Sequence, residues 1–478
     1  MTKTIRVRFA PAPTGMMHLG NIRTVLMNYL IARQKQGTFV LRIEDTDAER
    51  NYDPQAQKIQ EDLSWLSLFH DEGPGKGGPY GPYFQSQRNI LYQEKLQELI
   101  DLGHAYRCFC TTEELDKKRS RQIALKLPPR YDQTCRKLDA HTSAEQAQSI
   151  PFIWRMHLDD KDTLSIVDLA HGTVTFEMKN FSDFALTRQD GTVTFLFANF
   201  VDDALMKITH VIRGEDHLSN TACQAALYKA MKYELPVFWH LPILCNSEGK
   251  KLSKRDFGFS LRDLKDAGFL PEAIINYLGI IGGSFKDEIM TLEQLVQVID
   301  FENIHTTGQI RYDVEKLRWV NHKWICSLPI SKLIPLCRPY LENSYPQAAS
   351  LSDDQLSLAI ESIYQEMVTL QDCIQLLAFY FTKPLWEKDI ARSLVTTDHH
   401  VHCVSLITSI IPIQDAHIFV TDLKSKIKES GIPTKQVFGF IRYALTGSHG
   451  GPAIETLISL LGKQETTDRL MATLSFIK

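Results

Sequence analysis

The chain has 478 residues and a formal net charge of −4, with 44% hydrophobic and 23% charged residues. This length predicts about three domains, and the composition excludes a disordered chain. Because the chain as a whole is slightly acidic, a nucleic-acid partner would need local basic patches. The nine cysteines are scattered, which argues against a disulfide framework. We find neither a signal peptide nor a membrane-length apolar run, so we expect a cytoplasmic protein.

The first part of the chain predicts a strand, a loop, a helix and a second strand. Ile5–Ala10 has the pattern of a strand, apolar residues from Ile22 to Leu30 recur at helical spacing, and Phe39–Ile43 has the pattern of another strand. A unit of this length implies two parallel strands with a right-handed crossover. Ligands of such sheets bind beyond the carboxyl ends of the strands, which here are "PAPTGMMHLGN" and Glu44–Asp47.

The following segments differ in character. Residues 73–83, "GPGKGGPYGPY", predict a loop, and the lack of Ser or Thr after Lys76 excludes a phosphate-binding P-loop. Residues 91–191 predict an α+β insertion that ends near a hairpin around Asp190-Gly191. "HVIRGED" (210–216) and "FWHLPILC" (238–245) predict strands of the α/β domain. After residue 256 the pattern is mostly helical, with proline-containing breaks near 335, 384, 412 and 433.

Two polar segments carry candidate chemistry. His18 and Gly20 lie where the first helix is predicted to begin, and a helix N-terminus favours phosphate, which a glycine lets approach closely. A histidine here is also typical of a helix cap or a surface residue. The segment 249–258, "GKKLSKRDFG", has four basic residues within six positions. It is either a solvated surface loop or a mobile polycation that neutralises a leaving pyrophosphate.

Together these segments resemble the HIGH and KMSKS signatures of class I aminoacyl-tRNA synthetases. Four further motifs resemble the bacterial glutamyl-tRNA synthetase family: "RIEDTDAER" (42–50), "DEGPGKGGPYGPYFQSQR" (71–88), "NFVDDALMKITHVIRGEDHLSNT" (199–221) and "FLPEAIINYLG" (269–279). The resemblance covers residue 5 to about 325 and continues more weakly in "KLRWVNHKWI" and "IRYALTG". It implies an α/β, Rossmann-like class I synthetase catalytic domain with an α+β insertion, followed by an all-α C-terminal anticodon-binding region.

The resemblance also implies domain boundaries. Residues 1–90 and 192–253 would form the split catalytic domain, and residues 91–191 the insertion that binds the acceptor end of tRNA. A helical stem-contact domain would span 254–325. Two helical anticodon-binding subdomains would follow, at 326–385 and 386–478.

The same resemblance assigns roles to site residues. The implied ATP-binding set is His18, Gly20, Asn21, Lys251, Ser253 and Lys254, of which His18, Gly20, Lys251 and Lys254 form the catalytic set. The implied glutamate-binding set is Arg8, Glu44, Asn199 and Arg213. Within it, Arg213 would bind the side-chain carboxylate, because a planar guanidinium fits a carboxylate through two bonds. Glu44 would accept from the α-ammonium group. For each residue, a surface ion pair or a satisfied core polar group is the alternative.

The implied activity is the attachment of L-glutamate to tRNA(Glu) in two steps that use ATP with Mg²⁺. The glutamate α-carboxylate attacks the α-phosphorus of ATP, which gives glutamyl-adenylate and pyrophosphate. The terminal 2′-OH of tRNA then attacks the activated carbonyl and releases AMP. Catalysis would come from positioning and charge stabilisation. The expected partners are ATP, L-glutamate and tRNA, contacted at its acceptor stem and anticodon. We expect a monomer with no membrane partner.

Two positions depart from the family pattern. Ala12 stands where the opening motif usually has serine, and Phe195 stands where some members have a tyrosine that contacts glutamate. Each change removes a hydrogen-bond donor, a contribution of about 0.5–1.5 kcal/mol net.

A cysteine-bearing segment of the insertion matches the zinc-binding pattern of some family members. The candidate ligands are Cys108, Cys110, Tyr131 and Cys135, and Lys137 occupies the position of an alternative histidine ligand. Because tyrosine is an unusual zinc ligand, structural zinc and three free thiols both stay open. Residues 108–137 hold eight Lys or Arg and four Asp or Glu. They form either a phosphate-contacting surface or a solvated helix face.

The C-terminal region raises the question of tRNA choice. Residues 361–371, "ESIYQEMVTLQ", carry no basic residue, whereas relatives restricted to glutamate tRNA often have an arginine near this position. We therefore hypothesise that the enzyme also charges tRNA(Gln).

Three other protein classes fit the sequence less well. A tRNA-modifying relative would lack the C-terminal half, and a nucleotidyltransferase would not need "VIRGEDH". A tRNA-binding paralogue without activity would have lost His18, Lys251, Lys254 or Arg213, and all four are present.

Overall fold

A computed structural model of the protein describes residues 4–13, 15–46, 51–301, 308–394, 400–411, 413 and 415–477. The chain divides into two compact units, Met1–Asp263 with Ile275–Val314 and Leu264–Ile274 with Glu315–Lys478. The five domain boundaries derived from the sequence are finer than this division and stay predictions. Among the described helices, none is both long enough and apolar enough to cross a membrane.

Short strands alternate with helices as far as residue 311, and the described elements that follow are all helices. In chain order the described strands are β1 (Arg6–Phe9), β2 (Thr38–Leu41), β3 (Ala105–Cys108), β4 (Ile153–Met156), β5 (Thr163–Asp168), β6 (Gly172–Glu177), β7 (His210–Gly214), β8 (Val237–Leu241), β9 (Leu244–Cys245) and β10 (Ile310–Arg311). The described helices up to residue 298 are α1 (Leu19–Gln34), α2 (Gln57–Trp65), α3 (Asn89–Asp101), α4 (Thr112–Ala124), α5 (Ala140–Gln146), α6 (Phe195–Leu205), α7 (Leu218–Ala230), α8 (Leu261–Asp266), α9 (Pro271–Ile280) and α10 (Leu292–Val298). Those that follow are α11 (Val314–Ser327), α12 (Ile330–Ser344), α13 (Asp353–Glu361), α14 (Asp372–Leu376), α15 (Ala378–Phe381), α16 (Lys388–Ser393), α17 (His400–Thr408), α18 (Ala416–Ser430), α19 (Thr434–Thr446) and α20 (Ile454–Ile477).

The predicted strand–helix–strand unit at the N-terminus is confirmed. β1 and β2 pair in parallel, with Arg6 opposite Thr38 and Phe9 opposite Leu41, and α1 connects them. Three of the four side chains of each strand are buried. This pattern is typical of parallel strands that helices cover on both faces.

Strands from the predicted insertion (91–191) pair with strands outside it. Four strands pair in the order β6-β5-β8-β7, and β5 is antiparallel to β6 but parallel to β8 through the pair Asp168 and Phe238. β7 pairs in parallel with β8. β1 lies beside the start of β7, where the backbone N–H of Thr209 donates to the carbonyl of Arg6 at 2.9 Å. The β5–β6 hairpin therefore extends the sheet that contains β7 and β8.

Aromatic and aliphatic side chains of α3, α6, α7, β5 and β8 form the core beneath this sheet. Phe197, Phe200, Leu227 and Phe238 are at most 1% exposed. Burying one such side chain contributes about 1.5–3 kcal/mol. This core holds the carboxyl ends of the strands in fixed positions.

The hairpin predicted around Asp190-Gly191 is present but short, and one predicted break is absent. The Arg188 N–H donates to the Thr192 carbonyl at 2.7 Å, the Thr194 N–H donates to the Leu186 carbonyl at 2.8 Å, and Thr187 forms an antiparallel bridge with Val193. The next residues begin α6, because the face containing Phe197 and Phe200 is buried in the core. The break predicted near 335 is absent, since Pro335 lies inside α12, where packed apolar side chains compensate for the lost N–H bond. The break near 412, like Asp47, lies outside the described residues.

The second unit is helical, as predicted, and buried polar side chains join its segments. Asn321 on α11 accepts from the Leu270 N–H at 2.8 Å and donates to the Val368 carbonyl at 2.6 Å. Arg469 on α20, which is 3% exposed, donates to the carbonyls of Phe379 and Leu445. These bonds join segments that are distant in sequence.

Candidate active site

A cavity of about 440 Å³ opens beyond the carboxyl ends of β1, β2, β7 and β8, a volume typical of small-molecule sites. It brings together eight of the ten residues that the sequence assigned to ATP and glutamate: Arg8, His18, Gly20, Asn21, Glu44, Asn199, Arg213 and Lys251. Ser253 and Lys254 do not line it; both are exposed. The cavity occupies the edge of the sheet at which the sequence predicted binding.

His18 caps the N-terminus of α1. Its Nδ1 accepts from the Asn21 N–H at 3.3 Å, and the Asn21 side chain accepts from the His18 N–H at 3.2 Å. Burial, and then the cation of Lys251, lower the pKa of His18, so the ring is neutral near pH 7. With Nδ1 accepting, the proton lies on Nε2, which leaves one N–H donor beside the positive end of the helix.

Gly20 provides space for that imidazole. A Cβ at Gly20 would lie 3.0 Å from Cε1 and 3.1 Å from Nδ1 of His18. Any larger residue would therefore displace the ring. The ring also packs on Phe259, with centroids 5.2 Å apart and planes inclined by 24°.

The basic loop 249–258 presents one lysine to the cavity. Nζ of Lys251 lies 3.1 Å from the Asp216 carboxylate, which follows β7. Ser253 bonds instead to Asp256 within the loop, at 2.8 Å through its N–H and 3.0 Å through its hydroxyl. Lys254 is exposed. Of the two lysines assigned to catalysis, Lys251 therefore lies beside the cavity and Lys254 lies in solvent.

Arg213, at the end of β7, is a buried cation. It is 6% exposed, and Nη2 donates to Thr221 Oγ1 at 2.6 Å and to Gln224 Oε1 at 2.8 Å. Within the described residues its Nε has no hydrogen-bond partner and no carboxylate forms an ion pair with it. Burial lowers the pKa of Arg213 to about 9, and the nearby Arg8 adds to this effect. The side chain is thus a cation whose surroundings favour an incoming carboxylate.

From Arg213 a chain of buried amides leads to Glu44. Gln224 donates to Asn199 Oδ1 at 2.8 Å, and Asn199 Nδ2 donates to Glu44 Oε1 at 2.7 Å. Arginine only donates and an ionised carboxylate only accepts, so these ends determine the orientation of both amides. Asn199 therefore orients Glu44 in the cavity wall.

A dense charge network supports this wall. Asp203 accepts from Arg8 Nε at 3.1 Å and from Arg42 Nη1 at 2.6 Å, and Arg42, which is fully buried, also contacts Glu44 at 3.2 Å. Arg8 Nη1 bonds to the Ile212 carbonyl at 3.2 Å. Burial raises the pKa of Glu44 although Arg42 and Arg8 oppose it. A cation that arrives beside Glu44 would favour its ionised form.

The two departures from the family pattern both line the cavity. Ala12 follows β1, and Phe195 begins α6 with its ring centroid 5.9 Å from that of His217. Each presents carbon where a hydroxyl would have offered a donor.

Known proteins resemble the chain along nearly its whole length. The sequence model of the family "tRNA synthetases class I (E and Q), catalytic domain" matches residues 4–319, and that of the "Anticodon binding domain" matches residues 332–474. The chain belongs to the glutamyl-tRNA synthetase family. It is 36% identical to the glutamate–tRNA ligases of Geobacillus stearothermophilus, over 98% of both chains, and of Bacillus subtilis, over 98% of this chain and 99% of the relative. A crystal structure of a glutamate tRNA ligase from Elizabethkingia meningosepticum in complex with its amino acid has a TM-score of 0.89, 30% identity and complete coverage of both chains.

The four predicted zinc ligands, Cys108, Cys110, Tyr131 and Cys135, lie close together in the structure. The Sγ atoms of Cys108, Cys110 and Cys135 all lie within 4.8 Å of one another, and those of Cys110 and Cys135 are 3.6 Å apart. The Tyr131 hydroxyl lies 3.3 Å from Cys108 Sγ and 3.8 Å from Cys110 Sγ. Tetrahedral zinc with bonds of about 2.3 Å separates thiolates by about 3.8 Å. The donor set and its spacing therefore fit zinc.

Sequence reasoning missed several residues of the family member's site. Thr221 and Gln224 hold Arg213, Asp203 joins Arg8 to Arg42, and Asp216 pairs with Lys251. All of them except Gln224 lie within motifs that the sequence analysis quoted. No local pattern assigns them a role. The partners of Asp203 and Asp216 lie in other segments of the chain, whereas Thr221 and Gln224 meet Arg213, 8 and 11 residues away, through the fold of β7 and α7.

Proposed function

We propose that this cavity is where L-glutamate is activated by ATP and transferred to tRNA. The protein is a glutamate–tRNA ligase, because it resembles curated glutamate–tRNA ligases over 98% of its length. It also carries both a class I catalytic domain and an anticodon-binding domain. The observation that supports this use of the cavity is Arg213, a buried guanidinium with no carboxylate partner among the described residues. It shares one cavity with the N-terminus of α1 and with Lys251.

In our proposal three side chains bind glutamate by charge. Arg213 binds the side-chain carboxylate through charge-assisted hydrogen bonds, each worth about 1.5–3 kcal/mol. Arg8 contributes Nη2, since its Nε and Nη1 already bond to Asp203 and Ile212. Glu44 accepts from the α-ammonium group through Oε2, because its Oε1 accepts from Arg42 and Asn199.

ATP is proposed to lie with its phosphates at the N-terminus of α1. The Nε2–H of His18 and the first backbone N–H groups of the helix donate to phosphate oxygens, and Gly20 keeps the imidazole in place. Lys251 neutralises the charge that develops on the pyrophosphate. Lys254 and Ser253 lie outside the cavity lining, so their predicted contribution requires loop 249–258 to close over the phosphates.

The proposed reaction needs no covalent bond to the enzyme. An oxygen of the glutamate α-carboxylate attacks the α-phosphorus of ATP, the bond from that phosphorus to the bridging oxygen breaks, and pyrophosphate leaves with the bonding electrons. The tRNA 2′-OH then attacks the carbonyl carbon and passes its proton to the phosphate of the adenylate, the bond between the carbonyl carbon and the phosphate oxygen breaks, and AMP leaves. Magnesium bound with ATP would supply further neutralising charge. The residues of this chain supply alignment and charge stabilisation.

Exchange of labelled pyrophosphate into ATP tests the proposal. We expect glutamate-dependent exchange in the presence of tRNA, and Arg213→Ala should lower it more than the surface control Arg33→Ala. Exchange that does not depend on glutamate, with or without tRNA, would refute the proposed function. Exchange unaffected by Arg213→Ala would place the glutamate site elsewhere.

We also propose that Cys108, Cys110, Cys135 and Tyr131 hold structural zinc. Three sulfurs and a phenol oxygen converge there at distances that suit a tetrahedral ion. Metal analysis of protein purified without added zinc should give one zinc per chain, and Cys108→Ser should remove it. Substoichiometric zinc that Cys108→Ser leaves unchanged would contradict the proposal.

Acceptance of tRNA(Gln) is a further proposal about the second unit. In 361–371 the exposed side chains include Glu361, Gln365 and Glu366, and none of the eleven residues is basic. Labelled glutamate should therefore charge purified tRNA(Gln) as well as tRNA(Glu). No product above background with tRNA(Gln) would restrict the enzyme to tRNA(Glu).

A further inference from the structure

A second buried chain of hydrogen bonds leads from Arg213 away from Glu44 and ends in the insertion. Thr221 Oγ1, which accepts from Arg213 at 2.6 Å, lies 2.8 Å from His240 Nε2, and His240 Nδ1 lies 2.6 Å from Asp168 Oδ2. Asp168, His240 and Thr221 are each at most 1% exposed. Asp168 is the last residue of β5, whereas the other three residues belong to the catalytic part of the chain.

The ends of this hydrogen-bond chain determine the roles of the groups between them. The ionised Asp168 carboxylate accepts, so the proton of the neutral His240 ring lies on Nδ1 and Nε2 must accept. Thr221 therefore donates its hydroxyl proton to His240 at 2.8 Å, which is nearer than the alternative acceptor, the His217 carbonyl at 3.2 Å, and it accepts from Arg213 through an oxygen lone pair. Burial lowers the pKa of His240, against the opposing effect of Asp168, which agrees with a neutral ring. All the bonds thus point in one direction, from the Arg213 cation to the Asp168 anion.

Neighbouring groups restrict the orientation of the His240 ring and the Asp168 carboxylate. The His240 ring stacks on Phe238, with centroids 5.8 Å apart and planes inclined by 8°. The other carboxylate oxygen of Asp168 accepts from the N–H groups of Ala170 and His171 at 2.9 and 3.0 Å. Asp168 is therefore fixed by the β5–β6 turn, and His240 by the strand β8 and its neighbour.

We propose that Asp168 is a positioning residue, which acts through His240 and Thr221 to orient the Arg213 guanidinium toward the side-chain carboxylate of glutamate. With both Nη2 protons committed, one to Thr221 and one to Gln224, the guanidinium plane is fixed and its remaining N–H groups are left for the substrate. The inference rests on glutamate activation as the reaction of this cavity. It assigns to the insertion a part in amino-acid binding.

The central test changes Thr221, because valine has the shape of threonine without its hydroxyl. In pyrophosphate exchange measured in the presence of tRNA, Thr221→Val should raise the KM for glutamate about tenfold, the value of one hydrogen bond to a charged group. The KM for ATP should stay within twofold, and Thr221→Ser, which keeps the hydroxyl, should restore the glutamate KM. Thr175→Val makes the same chemical change at an exposed position of β6 and should leave both values unchanged.

A second variant tests whether Asp168 acts through the same chain. Asp168→Asn keeps an acceptor for the turn but presents an amide N–H to His240 Nδ1, which moves the ring proton to Nε2 and removes the acceptor for Thr221. The glutamate KM should rise, and the double variant with Thr221→Val should be no worse than Thr221→Val alone.

The outcomes separate the inference from the proposed function. A wild-type protein without glutamate-dependent exchange would refute the function itself. An active wild type whose glutamate KM changes less than twofold in Thr221→Val would overturn the inference, as would a Thr221→Ser variant that behaves like valine. Multiplying effects in the double variant would show that Asp168 acts independently. Partial misfolding of a variant lowers kcat through the active fraction and leaves KM unchanged, so the comparison of KM values stays decisive.

Discussion

Replacement of Arg213 by lysine isolates the geometry of the guanidinium from its charge. The side chain is 6% exposed and makes two hydrogen bonds through Nη2. Lysine keeps the positive charge, but it presents a compact ammonium that cannot bind a carboxylate through two parallel bonds. The variant therefore loses one charge-assisted hydrogen bond to the substrate, about 1.5–3 kcal/mol. This loss corresponds to a fall of about 10- to 150-fold in kcat/KM for glutamate.

The assay is pyrophosphate exchange with saturating tRNA, first with glutamate and then with ATP as the varied substrate. The fall should appear in the glutamate series, while the KM for ATP should change less than twofold. Arg33→Lys makes the same substitution at a partly exposed ion pair with Asp71 and should resemble wild type. A kcat/KM for glutamate within threefold of wild type would refute the reasoning, as would an equal rise in the KM for ATP.

Three further substitutions test other parts of the site. Arg42→Met leaves the buried Asp203 carboxylate without its 2.6 Å partner; the free energy of unfolding in urea should fall by about 3–5 kcal/mol, and a fall below about 1 kcal/mol would contradict the network. Gly20→Ala should stabilise α1 yet raise the KM for ATP about fivefold, since its Cβ would lie 3.0 Å from the His18 ring and displace it at a cost of about 1 kcal/mol; an unchanged KM would show that the position of the ring is unimportant. Lys251→Gln should lower kcat about 100-fold with the glutamate KM unchanged, and a normal kcat would assign the pyrophosphate to other groups.

Local patterns in the sequence predicted the parts of the molecule whose cause is local. The spacing of apolar residues predicted β1, α1 and β2, and their parallel pairing followed from the length of the crossover. Because parallel strands bind ligands at their carboxyl ends, the same reasoning predicted that His18 and Glu44 line one cavity.

Such local patterns cannot predict ion pairs between residues that are distant in the sequence. Asp203 meets Arg8 195 residues away and Arg42 161 residues away, and no periodicity reports a partner at that distance. The sequence around Phe195 predicted a strand where the structure has the helix α6, for a related reason. Its alternating β-branched and aromatic residues are typical of a strand, but burial of one face of α6 in the core overrides that local preference.

The split arrangement of the cavity also governs how the protein acquires its fold during synthesis. Arg8 leaves the ribosome 195 residues before Asp203, an interval of about 10–40 s at ordinary rates of translation. Throughout that interval β1, which must lie beside β7, has no neighbour on that side, whereas both strands of the β3–β4 and β5–β6 pairs in the predicted insertion emerge before β7. We expect the insertion to acquire structure before the domain that contains it, and the nascent N-terminal strands to be exposed to chaperones until β7 emerges.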